Sequence, residues 1–146
     1  MSLVIENLTV SYGARPIIRD LSLPAMPAAS LVALIGPNGA GKSTLLRALA
    51  GLERMKGRVA LEGEDVSRLG FAERSRRLAY MPQQLPPGIA LGVLESIVAA
   101  LRVSGGEDLL GRAYEALRRL GIEHLAEHPL DSLSGGQRQL VALAQL

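Results

Sequence analysis

Two short stretches hold residue types whose order could do chemistry. The first is Gly36-Pro37-Asn38-Gly39-Ala40-Gly41-Lys42-Ser43, which fits the pattern G-x-x-x-x-G-K-[ST]. Glycines let a backbone turn back so that successive N–H groups point at phosphate oxygens, and a helix starting behind them adds the positive end of its dipole. Lys42 then reaches the β and γ phosphates as a point charge, the Ser43 hydroxyl ligates Mg2+, and Thr44 makes a secondary phosphate contact. The competing reading is a glycine-rich turn with a solvated lysine; the strand and helix expected on either side favour the phosphate loop. Alone, the loop implies a nucleoside triphosphate and leaves the reaction open.

The second stretch is Leu133-Ser134-Gly135-Gly136-Gln137-Arg138-Gln139. Ser134 stands as an N-cap, and two glycines leave the backbone N–H groups of the first helical turn unobstructed, which makes a second anion site. By itself this motif reads better as an N-cap followed by a flexible turn, and only its pairing with the phosphate loop favours the anion site.

The elements that must position these residues follow from hydrophobic spacing. Leu3 to Val10 and Pro16 to Leu23 read as an antiparallel strand pair around Tyr12-Gly13, with Pro24 and Pro27 ending the second strand. Ser30 to Ile35 is a short apolar run before the glycine loop, the pattern of a buried strand. Leu45, Leu46 and Leu49 recur at helical spacing from Ser43 until Gly51. Gly57 to Leu61 reads as a strand closed by a turn at Glu62-Gly63-Glu64, and Leu78 to Met81 as a short strand halted by Pro82. Pro86, Pro87 and Gly88 mark an irregular connector. Beyond it, Val93, Leu94, Ile97, Val98 and Leu101 form one helical stripe, and Leu109, Leu110, Ala113, Leu117 and Leu120 a second. Gly135 onward reads as a helix through Leu140, Val141, Leu143 and Ala144, and its apolar end in mid-pattern looks cut rather than finished.

Composition narrows the function classes. The 146 residues are 48% hydrophobic and 21% charged, a globular balance. A net charge of +2 is too small to imply a nucleic-acid backbone partner, and Phe71, Tyr12, Tyr80 and Tyr114 make no stacking platform. Arg74, Arg76 and Arg77 read as a solvated helix face rather than a nucleic-acid patch. The absence of cysteine excludes disulfides and thiolate chemistry. No apolar run reaches the roughly 18 residues of a membrane span, and no leader is read at the N-terminus, so an intracellular chain is expected. His124 and His128 have no companion ligands and take no role.

Taken together, the glycine loop and Leu-Ser-Gly-Gly-Gln-Arg-Gln at this separation resemble the phosphate loop and signature of ABC-type ATPases, over the whole chain. The resemblance implies an α/β P-loop NTPase core with an N-terminal antiparallel β subdomain and an α-helical signature subdomain. Residues 1–90 would be the N-terminal part of the ATP-binding core and residues 91–146 the helical subdomain, with the C-terminal part of the core missing. It implies ATP and Mg2+ as ligands. Gly36, Asn38, Gly39, Ala40, Gly41, Lys42, Ser43 and Thr44 of one subunit and Ser134, Gly135, Gly136 and Gln137 of another would clamp one nucleotide in a head-to-tail homodimer. Tyr12 corresponds to the aromatic residue that stacks on adenine, against a reading as an ordinary edge-strand tyrosine. Gln83 looks like the glutamine that approaches Mg2+ and the attacking water, against a reading as a polar turn residue. Lys42 and Gln83 are thus the catalytic candidates, and Ser43 and Gln83 the metal candidates.

The partners implied are integral membrane permease subunits, with the chain peripheral on the cytoplasmic face of the plasma membrane and no nucleic acid bound. Gly136 to Gln145 is similar to the group that imports iron-siderophore, haem or cobalamin complexes. The family's Mg2+ carboxylate and catalytic base follow the signature, and Val59-Ala60-Leu61-Glu62 is a poor internal substitute for them. Two other readings stay open: a soluble non-transport ABC ATPase, and a fragment that binds nucleotide without turnover. The family's next strand would run beside the phosphate-loop strand, so Leu31 to Ile35 is expected to present an unpaired apolar edge and to favour self-association.

Overall fold

The computed structural model describes residues 2–82 and 91–146, in two compact units, Met1–Tyr80 and Met81–Leu146. In the first, β-branched and apolar residues at alternating positions make four antiparallel strands in the order β2-β1-β3-β4: β1 Ser2–Tyr12, β2 Arg15–Pro27, β3 Met55–Leu61 and β4 Glu64–Asp65. Both strands of the N-terminal hairpin outrun their sequence-based bounds. Between β2 and β3 lies helix α1, Lys42–Leu49, and a single turn and a half, α2, follows at Phe71–Ser75.

The inward face of β1 does not keep a strict period of two. Ile5, Leu8 and Val10 are all buried, a three-residue step followed by a two-residue step. A bulge accounts for it: the β1–β3 register shifts between Glu6 and Thr9, where Asn7 takes a positive φ of 51° opposite Gly57. The extra residue turns Leu8 back to the core, and the Asn7 N–H released from the ladder donates to Ser22 Oγ at 2.9 Å. Gly57 is required here, because its φ of +103° lies in the region that side-chain-bearing residues avoid and a Cβ would strike the Asn7 carbonyl. Ile5, Leu8, Val10, Ile18, Leu45, Ala48, Val59 and Val66 form the core of the unit.

Two expected strands do not form. Residues 30–35 are unpaired, with Leu31 and Ile35 almost fully exposed at 101% and 90%. Residues 78–81 are likewise without strand structure. Apolar content marks a segment that would sit well in a buried sheet, but a strand exists only when a neighbour accepts its N–H and C=O groups. Among the described residues no strand lies alongside either segment.

Arg74 also departs from expectation. It is buried at 4% exposure rather than solvated, and its guanidinium donates to Ala48 O at 3.1 Å and Ser67 O at 2.7 Å. Ala48 belongs to the last turn of α1, whose carbonyls have no N–H donor within the helix; its oxygen also accepts from Gly51 N–H at 3.0 Å, and the Arg74 cation adds a second donor at the negative end of the helix dipole. Burial pushes the Arg74 pKa down, opposed by the nearby Asp65 charge. Arg76 is exposed, and Arg77 pairs with Glu64 at 2.9 Å.

The second unit is helical: α3 Val93–Ser104, α4 Leu109–Arg119 and α5 Gly135–Ala144. Val93, Ile97, Ala113, Leu117, Ile122, Leu125 and Val141 pack into one core, as the apolar spacing predicts, although Leu110 falls outside it and is exposed. Each helix start is capped. The Glu95 carboxylate accepts from Gly92 N–H at 2.9 Å, and Asp108 accepts from Gly111 N–H at 3.0 Å. The far end of α5 is tied to α3 by Gln145 Nε2 donating to Ser96 Oγ at 3.0 Å.

Candidate functional site

The glycine loop runs straight into α1. Gly41 is the N-cap residue, with a left-handed φ of +89°, and a Cβ there would press on Ile17 Cγ2 at 3.2 Å. Only glycine meets both demands, which explains the type at the turn where loop becomes helix. The helical ladder begins with Leu45 N–H donating to Gly41 O at 2.8 Å. The N–H groups of Lys42, Ser43 and Thr44 therefore precede the ladder and stand at the positive end of the helix dipole.

Lys42 folds its ammonium over the loop, donating to Gly36 O at 2.7 Å and Pro37 O at 2.8 Å. These bonds hold a positive charge against the loop that the backbone N–H groups also serve, so donors of two kinds converge on one short segment. Gly36, Asn38, Gly39 and Ala40 are exposed, as is Ser43, while Thr44 is half-buried. Within the loop Ala40 N–H donates to Pro37 O at 3.3 Å. The donor set fits a polyphosphate, and an exposed Ser43 hydroxyl in the first turn of α1 fits a hard cation that takes oxygen ligands.

Tyr12 ends β1 at the mouth of the β1–β2 hairpin, 44% exposed, and its hydroxyl donates to Glu53 Oε1 at 2.9 Å. Gln83, the remaining candidate of this group, lies outside the described residues. Among the described residues no cluster of three or more His, Asp or Glu side chains could hold a metal.

In the second unit the Ser134 motif forms a reciprocal cap on α5. Gln137 N–H donates to Ser134 Oγ at 3.3 Å, and Ser134 N–H donates to Gln137 Oε1 at 2.9 Å. Gly135 and Gly136 are exposed, and a Cβ at either would meet nothing within 4 Å. The start of α5 is therefore open on the side of these two glycines, with no close internal packing against them. Sequence reasoning did not single out Arg138, which turns back to donate to Leu133 O at 3.1 Å and Asp131 O at 2.8 Å and so braces the segment before the cap. Its place inside the motif was visible; the direction of its side chain depends on the turn at Leu130–Ser132.

The model of the ABC transporter family matches residues 19–146. The chain is 40% identical over 152 residues to the hemin import ATP-binding protein HmuV of Bordetella pertussis, covering 100% of this chain and 57% of that protein. It is 36% identical over 144 residues to the Fe(3+) ions import ATP-binding protein FbpC 1 of Pectobacterium atrosepticum, covering 97% and 40%. The chain thus spans about half the length of the curated relatives it matches. Among solved structures, it resembles a nucleotide-free ATP-binding cassette from an ABC transporter with a TM-score of 0.86 and 26% identity, over 99% of this chain and 64% of the other. It also resembles the dimeric bacterial ABC transporter cassette MJ0796, with a TM-score of 0.78 and 26% identity over 98% and 68%.

Proposed function

The chain belongs to the ABC transporter family, and from that premise we propose that it binds Mg-ATP as part of the ATP-binding subunit of an importer. The observation that carries this reading is the loop itself. Lys42 is drawn to the carbonyls of Gly36 and Pro37 at the head of a helix whose first N–H groups have no helical acceptor. Gly36, Asn38, Gly39, Ala40 and Gly41 would line the phosphates, Lys42 would meet the β and γ oxygens, and Thr44 would add a contact. Ser43, with Gln83, would hold Mg2+, which when bound neutralises charge on the β and γ phosphates. Tyr12 would stack on the base.

Residues 1–90 would serve as the nucleotide-binding part and residues 91–146 as the helical part. Ser134, Gly135, Gly136 and Gln137 would complete the nucleotide site of a second subunit in a head-to-tail homodimer. The capped helix start, with its two unobstructed glycines, supports that role, and so does the dimeric cassette among the structural relatives. In the whole protein, ATP hydrolysis would drive a membrane permease, with the chain peripheral on the cytoplasmic face. The relatives named for hemin and Fe(3+) import favour an iron-containing cargo.

Substituting Lys42→Ala tests the reading. The change removes the loop's main positive charge, and Mg-ATP affinity by calorimetry is expected to fall on the order of 100-fold, the scale of charge-assisted hydrogen bonds. Unchanged affinity in a folded variant would overturn it.

A further inference from the structure

Tyr12 is held by a residue 41 positions away, and the sheet register explains how they meet. β1 and β3 pair antiparallel with Val10 opposite Met55 and Thr9 opposite Lys56. Continuing that register two residues past Val10, and two residues before Met55, puts Tyr12 opposite Glu53. Directly opposed antiparallel positions bring side chains of one face together. The ladder has ended there, so the side chains rather than the backbone make the connection, through Tyr12 Oη donating to Glu53 Oε1 at 2.9 Å.

Glu53 is itself restrained. Its side chain is 24% exposed, and the same Oε1 lies 4.0 Å from Arg47 Nη1. Arg47 belongs to the last turn of α1, the helix that begins with Lys42 and Ser43. A tyrosine at a hairpin mouth would otherwise sample its rotamers, and a ligand that needs one of them would bear the entropy of choosing it. A hydrogen bond from the hydroxyl to the Glu53 carboxylate, 2.9 Å long here, favours one of those rotamers before the ligand arrives.

We propose that Glu53 is the positioning residue for the Tyr12 ring, fixing it relative to α1 so that base affinity rises while phosphate affinity is untouched. The inference rests on the reading of Tyr12 as the base-stacking residue. It assigns the Tyr12-Glu53-Arg47 chain a task that the phosphate loop does not perform, since it links the place for the base to the helix that begins at the place for the phosphates.

The test compares Mg-ATP with magnesium tripolyphosphate, which has phosphates and no base, as ligands of the whole protein. Glu53→Ala and Tyr12→Phe are each expected to weaken Mg-ATP about fivefold, the scale set by ordering one side chain on binding. Combined, they should weaken it no further than either alone, because both break the same bond. Tripolyphosphate affinity should stay unchanged, and Glu53→Gln, which keeps an acceptor oxygen, should restore most of the ATP affinity. A general loss of fold would lower both ligands together, and that result overturns the proposal. If Tyr12→Ala weakens Mg-ATP but Glu53→Ala does not, the base-stacking reading survives and the role of Glu53 falls. If Tyr12→Ala leaves Mg-ATP affinity intact, stacking is wrong and the proposal falls with it.

Discussion

A methyl group on Gly57 would collide with the Asn7 carbonyl, and the φ of +103° would strain any side chain placed there. The bulge this glycine permits aims Leu8 and Val10 at the core, so one residue governs which face of β1 is buried beyond Asn7. Gly57→Ala is expected to lower the unfolding free energy by about 3 kcal/mol, combining backbone strain with a steric shift of the ladder. Urea denaturation checks it; a loss below about 1 kcal/mol would mean the bulge moves freely to accommodate a side chain. The same logic sets Gly57 apart from Gly135 and Gly136, whose surroundings are open and would admit a Cβ without collision.

Helix α4 shows how an element is supported from its surface. Glu115 accepts from Arg118 Nε at 2.9 Å and from Arg119 Nε at 3.0 Å, bonds at i,i+3 and i,i+4 spacing. The hydrogen bond from Arg119, then that from Arg118, holds the Glu115 carboxyl below the usual glutamate range. A carboxylate whose folded pKa is depressed contributes stability above its unfolded pKa, and that contribution is lost as pH falls through the folded value. The group is solvent-accessible, so salt screens the effect. NMR titration is expected to give a Glu115 midpoint below that of a model glutamate, moving up when Arg119→Ala removes the leading partner; an unmoved midpoint would count against the pairing. α1 is supported differently, from beneath, by the buried Arg74 donating to Ala48 O.

At the scale of the whole molecule, the exposed apolar surface decides behaviour. Leu31, Val32, Leu34 and Ile35 stand open in the first unit, and Leu140, Leu143 and Leu146 in the second. An unpaired apolar segment offers both a sticky surface and free backbone donors and acceptors, the combination that recruits a strand from another chain. The 146-residue polypeptide by itself is therefore expected to self-associate at micromolar concentration. Sedimentation velocity reads this directly, and a monodisperse monomer that unfolds cooperatively would refute it. Substituting Leu31→Lys together with Ile35→Lys should shift the distribution toward monomer if the segment is responsible.

The glycine loop, the capped helix after Ser134 and the helical stripes are all legible in the order of the residues, because each depends on residues within a few positions of one another. Glycine at a left-handed turn, serine before a helix and leucines at a 3.6 period act locally, whatever the rest of the chain does. Tertiary structure alone decided the rest. Ser30 to Ile35 has the composition of a buried strand, but pairing is a property of two segments, and no described neighbour supplies the second. Arg74 sits in a run of arginines that pattern assigns to solvent, yet the fold brings its guanidinium to the Ala48 carbonyl at the end of α1 and to the Ser67 carbonyl, two acceptors far from it in sequence. Glu53 carries no motif at all; it meets Tyr12 because a bulge and a glycine set the β1–β3 register, and register is settled by packing across the whole sheet.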